Sequence, residues 1–117
     1  RPAALLPASG MQEMIAAPAA PVARDAQGRL ADHWYGCGWL VRPVGREGRV
    51  NTWHSGSLPG TCTLLVRRAD GISYAALFNQ RAQGSPPGDA ELDPLLARAA
   101  RAVTQWPDHD LFHDRRG

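Results

Sequence analysis

Hydrophobic positions follow two rhythms along the 117-residue chain. Across 35–79, apolar and polar residues alternate in short runs broken by Gly, Pro and Asp, which is the spacing of half-buried strands. The stretch 35–44 is extended in character, and Gly36 and Gly38 inside it suggest a bulge or a close backbone approach. A turn follows over 45–48, then a second strand over 50–57, closed by the tight-turn signal Leu58-Pro59-Gly60. The third strand covers 61–68, Ala69-Asp70-Gly71 makes a hairpin turn, and the fourth strand covers 72–79. In that last strand Ile72, Tyr74, Ala76 and Phe78 share one face by two-residue alternation.

Beyond a Gly/Pro/Ser loop over 83–88 the period changes. From Asp89 onward Leu92, Leu95, Leu96, Ala99, Val103 and Trp106 recur at helical spacing, and Pro107 ends the helix. Near the start, Ser9 is placed to cap a short helix over 10–17, with Met11, Met14 and Ile15 on one side and Pro18 and Pro21 stopping it. The stretch 22–33 reads as loop and the polar tail 108–117 as frayed.

These elements predict an α+β fold. An antiparallel sheet of three to four strands carries a short N-terminal helix and a C-terminal helix packed on one face. The whole chain, 1–117, forms a single domain: helix and loop over 1–34, strands over 35–80, the C-terminal helix over 89–106 and a tail over 107–117. No internal repeat interrupts this order. The chain opens at Arg1 with no signal-peptide pattern, and is expected to be a processed product or a fragment.

Composition removes several functions. The net charge is +2, and all 13 basic residues are scattered arginines, which argues against nucleic acid as a partner. No apolar run approaches the roughly 20 residues of a membrane span. Cys37 and Cys62 match no zinc or redox spacing. Both fall in predicted strands, where they are either a cross-strand disulfide of an exported protein or two buried thiols. His109 and His113 lie four apart, but Pro107 has already broken the helix that would align them for a metal. Among the four tryptophans, Trp106 belongs to the helix stripe, while Trp39 and Trp53 sit in strands and pack.

Three stretches stand out in order: Tyr35-Gly36-Cys37-Gly38-Trp39, then Trp53-His54-Ser55-Gly56-Ser57-Leu58-Pro59-Gly60-Thr61, then Ala75-Ala76-Leu77-Phe78-Asn79. The set resembles the C-terminal part of β-lactamase-related serine hydrolases, a group that includes penicillin-binding proteins, class C β-lactamases and D-alanyl-D-alanine carboxypeptidases. The resemblance spans about 9–106. It implies part of a β-lactamase/transpeptidase-like fold and a site built from three elements: Ser-x-x-Lys, a Tyr-x-Asn or Ser-x-Asn loop, and a Lys/His-Thr/Ser-Gly strand. Only the last is present. The chain contains no lysine, and neither Tyr35 nor Tyr74 has Asn two residues on.

Position by position, the resemblance implies that His54 supplies positive charge or a hydrogen bond in the cleft. It implies that Ser55 binds the substrate's carboxylate or acyl chain, that Gly56 keeps the strand edge bare, and that the Ser57 N–H is one oxyanion-hole donor. No catalytic set is complete, and neither metal nor cofactor is implied. Consecutive strand residues point to opposite sides, so His54 and Ser55 are not expected to form a dyad. The expected partner is a second copy of the chain or the missing N-terminal half of the hydrolase, met along the exposed edge of the strand over 72–79. Many relatives are exported, which implies a periplasmic or secreted location. The alternative is a non-catalytic binding or assembly module that uses the same scaffold to pair with a partner chain.

Overall fold

The computed structural model describes residues 5–18, 27, 32–45, 48–80 and 89–109. Seven elements follow in order: α1 (Ala8–Ile15), β1 (Trp34–Tyr35), β2 (Leu40–Pro43), β3 (Val50–Leu58), β4 (Thr61–Arg67), β5 (Ser73–Phe78) and α2 (Asp89–Ala102). The fold is α+β, as the pattern indicates, with one antiparallel sheet in the order β1-β2-β3-β4-β5. It has five strands among the described residues, not three to four. The extra strand comes from the stretch 35–44, which is a hairpin and not one extended run. Its turn centres on Cys37 and Gly38, with Gly38 at φ 77°. The Gly36 N–H donates to the Trp39 carbonyl at 2.7 Å and closes the turn.

Register fixes the faces. The row Trp53↔Val66↔Tyr74 and the rows Ser55↔Leu64↔Ala76 and Ser57↔Cys62↔Phe78 share one side. Here α2 is laid down: Leu92 joins Cys62, Leu64 and Val66 in the core, with Trp53, Tyr74 and Leu96 packed against them. The row Val41↔Thr52↔Arg67 belongs to the opposite side. There Val41 is fully buried and Thr52 nearly so. The last turn of α1 meets the β1–β2 hairpin: the Cys37 N–H donates to the Met14 carbonyl at 2.9 Å, and Trp34 Nε1 donates to the Ile15 carbonyl at 3.1 Å. A Cβ on Gly36 would collide with that Met14 carbonyl. The close backbone approach expected of the two glycines is therefore real at Gly36, and the turn at Gly38 explains the other.

Both helices depart from their expected ends. The first, α1, starts at Ala8 with Pro7 as N-cap and no side-chain cap, so Ser9 lies inside the helix and does not cap it. Pro7 supplies a preset φ of −65° in place of a capping side chain. The second, α2, stops at Ala102, short of Pro107, although it runs through Pro94. Val103 and Thr104 are β-branched, and Trp106 is disfavoured in the α region because Pro107 follows it. Trp106 is consequently 56% exposed and is not core. The buried side of α2 is Leu92, Leu96 and Ala97; Leu95 is half exposed. Asp93 turns this face toward the sheet by accepting a hydrogen bond from the Tyr74 hydroxyl. Burial and that carboxylate push the Tyr74 phenol up to about 12.

Cys37 is exposed in the hairpin turn and Cys62 is buried, and both are free thiols. The disulfide alternative therefore falls, as does the placement of Cys37 in a strand. Trp39 sits beside Cys37 in the same turn and not in a strand. Arg68 reaches Asp70 through Nε and Nη2 and clamps the β4–β5 turn. That grip holds the Asp70 carboxyl below its usual range. Except for Gln27, the stretches expected as loop over 22–31 and 83–88 and as tail beyond 109, with His113, lie outside the described residues. No helix among the described residues is long and apolar enough to cross a membrane.

Candidate functional site

The His-Ser-Gly triplet lies in the middle of β3, and what surrounds it follows from where β2 ends. Along β4, β3 is paired from Thr52 to Leu58 without a break. On its other side β2 covers only Val50 to Trp53, the last pair being Leu40↔Trp53. The next residue back, Trp39, gives its carbonyl to Gly36 instead. The half of β3 from His54 to Leu58 therefore presents an open edge inside the sheet outline.

Which backbone groups face that opening is set by the turn at the far end. Pro59 fixes φ near −65° and Gly60 stands at φ 80°, the dihedrals of a type II turn. Leu58 and Thr61 are thus the closing hydrogen-bonded pair. Hydrogen-bonded and non-hydrogen-bonded pairs alternate in an antiparallel ladder. Gly56↔Thr63 and His54↔Leu65 consequently bond to β4, while Ser55↔Leu64 and Ser57↔Cys62 do not. The N–H and C=O of Ser55 and Ser57 point away from β4, toward the open edge.

The side chains divide by face. Ser55 is half-buried and shares the α2 side with Leu64. His54 is exposed on the other side, so it and Ser55 form no dyad. Its partner is Tyr35, whose hydroxyl lies 3.0 Å from His54 Nε2, with the two rings edge to face at 6.1 Å. Tyr35 has a place in the first motif stretch and is excluded as a Tyr-x-Asn, but the sequence assigns it no part beside His54. The signal that marks it is its place as first residue of Tyr-Gly-x-Gly-Trp, just before the hairpin turn. Gly56 has a packing reason to lack a side chain: a Cβ there would stand 2.6 Å from Thr63 Oγ1.

A separate groove of about 480 Å³ opens on the α2 side, lined by Leu40, Arg42, Asn51, Trp53, Asp93 and Pro94 among others. Arg42 lies over the Trp53 ring at 5.1 Å and pairs with Asp32 at 3.2 Å. His33 and Arg42 together hold the Asp32 carboxyl below its usual range, the His33 hydrogen bond being the stronger cause. None of His54, Ser55, Gly56 and Ser57 lines this groove. Among the described residues no cluster of His, Cys, Asp and Glu has the form of a metal site.

No family model, no curated protein and no solved structure matches this chain.

Proposed function

We propose that this chain supplies the His-Ser-Gly wall of an acyl-transfer site in a β-lactamase-related serine hydrolase, with the nucleophile coming from a separate segment. The observation that carries this reading is the open edge of β3. It is unpaired from His54 to Leu58, the triplet and the two residues after it, and it aims the Ser57 N–H into the opening, where the resemblance calls for an oxyanion donor. His54 stands three residues before Ser57 on the opposite face, and the bare Cα of Gly56 leaves the edge unobstructed on that side. A developing oxyanion needs two such donors, the second being the N–H of the nucleophile. The sequence has no Ser-x-x-Lys, so alone the chain holds half of the hole and no nucleophile.

The test is to express the chain together with a neighbouring encoded segment that carries Ser-x-x-Lys, and to follow acylation by a labelled penicillin, nitrocefin and a p-nitrophenyl ester. The pair is expected to turn over and the chain alone to stay silent. Ser57→Pro deletes one N–H that faces no strand, so it leaves the β3–β4 ladder intact. It is expected to lower turnover by about 10²-fold or more relative to Ser57→Ala.

A second reading, a non-catalytic module that pairs with a partner chain, rests on a different observation. Leu58, Leu65 and Leu77 are 67%, 45% and 78% exposed on the side away from α2, and β5 is an edge strand beside them. An open edge bordering exposed apolar side chains suits strand addition. The hydrolase reading also uses this surface, to seat the absent half or a second copy. The two part on whether any combination of chains acylates.

A further inference from the structure

We infer that Tyr35 is a positioning residue that sets the tautomer of His54, so that the neutral imidazole carries its proton on Nδ1 and offers that N–H to the cleft. The inference deepens the hydrolase reading and rests on it for the use of the donor, although not for the tautomer itself. Tyr35 and His54 are 19 residues apart and belong to strands separated by β2, yet the phenol oxygen and Nε2 are 3.0 Å apart. A phenol hydroxyl is a good donor and its oxygen a poor acceptor, whereas the unprotonated imidazole nitrogen is a good acceptor. The favoured arrangement is therefore O–H donating to a bare Nε2, which leaves the proton on Nδ1. The edge-to-face packing of the rings limits how far the imidazole can turn away from this contact.

The consequence is chemical. The resemblance leaves open whether the residue at this position supplies charge or a hydrogen bond. With Nε2 engaged by Tyr35, the neutral form of His54 offers a single directed donor, Nδ1–H. Tyr35 belongs to the strand that leads into the hairpin turn closed by Gly36 and Trp39. The same turn that precedes β2 and leaves the β3 edge open therefore also holds the donor in place.

The test is a long-range ¹H–¹⁵N spectrum of the full chain at pH about 9, where imidazoles are neutral, on the wild type and on Tyr35→Phe. In the wild type His54 Nε2 is expected to show the pyridine-type shift and Nδ1 the pyrrole-type shift. In Tyr35→Phe, which keeps the ring and loses only the hydroxyl, the shifts are expected to revert toward the Nε2–H form that prevails in free histidine. A pyrrole-type Nε2 in the wild type overturns the inference without any variant, as does an unchanged tautomer in Tyr35→Phe. Failure of the hydrolase reading looks different: the tautomer is as expected, but His54→Ala acylates at the wild-type rate in the reconstituted pair.

Discussion

At the residue scale, Gly56 shows how a motif position can be explained by its neighbour. The resemblance casts it as clearance for substrate. The fold adds Thr63 on the opposing strand, whose hydroxyl would lie 2.6 Å from a new Cβ at Gly56. Thr63 can relieve this only by leaving its rotamer or by shifting the pair. Gly56→Ala is therefore expected to cost about 1–3 kcal/mol in urea denaturation. Gly56→Ala/Thr63→Ala should recover most of that loss, giving strongly non-additive values. Additive values would return Gly56 to a purely functional role. Gly36 was legible as a close-approach glycine because two glycines in one extended stretch demand a backbone reason. Tyr35 was not legible, because its contact depends on where a neighbouring strand stops, and no local pattern encodes that.

At the element scale, the strands were easier to read than their number or the helix ends. The runs behind β3, β4 and β5 are bounded by Pro59-Gly60 and Asp70-Gly71, so each was placed to within one or two residues. The first stretch misled because a two-residue strand, Trp34–Tyr35, leaves no periodicity to detect. The C-terminal helix was read too long because Val103 and Trp106 continue the apolar spacing beyond the point where backbone preference turns against the helix. A polar tie also went unseen, since Asp93 looks solvent-facing in an apolar-stripe analysis yet accepts from Tyr74. That tie has a pH signature. The folded phenol is pushed up to about 12, above an unfolded value near 10. Its stabilising contribution is full below about pH 10 and is lost as pH rises toward 12. Tyr74→Phe is expected to cost about 1.5 kcal/mol at neutral pH and to flatten the decline in urea midpoint between about pH 10 and 12. An unchanged alkaline slope in the variant would detach Tyr74 from the α2–sheet contact.

At the scale of the whole molecule, the sheet is covered unevenly. One side carries α2 and most of the core, while the other, beyond buried Val41 and Thr52, leaves Leu58, Leu65 and Leu77 exposed toward the β5 edge. The position of that edge was legible, because the run over 72–79 is the last with strand character before the helical spacing begins at Asp89, and among the described residues β5 pairs only with β4. A partner seated there would bury Leu77, a side chain worth about 1.5–3 kcal/mol when fully covered. Leu77→Lys is accordingly expected to weaken self-association or pairing by about tenfold or more in sedimentation velocity. A wild-type chain that stays monomeric at every concentration, and that ignores a Ser-x-x-Lys segment, would remove the need for a partner.

Intact-mass measurement after exposure to a labelled penicillin decides whether β3 is one wall of an acyl-transfer site whose nucleophile lies elsewhere. No adduct is expected on this chain alone. With the Ser-x-x-Lys segment added, a stoichiometric adduct is expected on that segment's serine, slowed by Ser57→Pro. An adduct on Ser55, Ser57 or any other serine of the isolated chain would contradict that role for β3, and so would a reconstituted pair that never acylates.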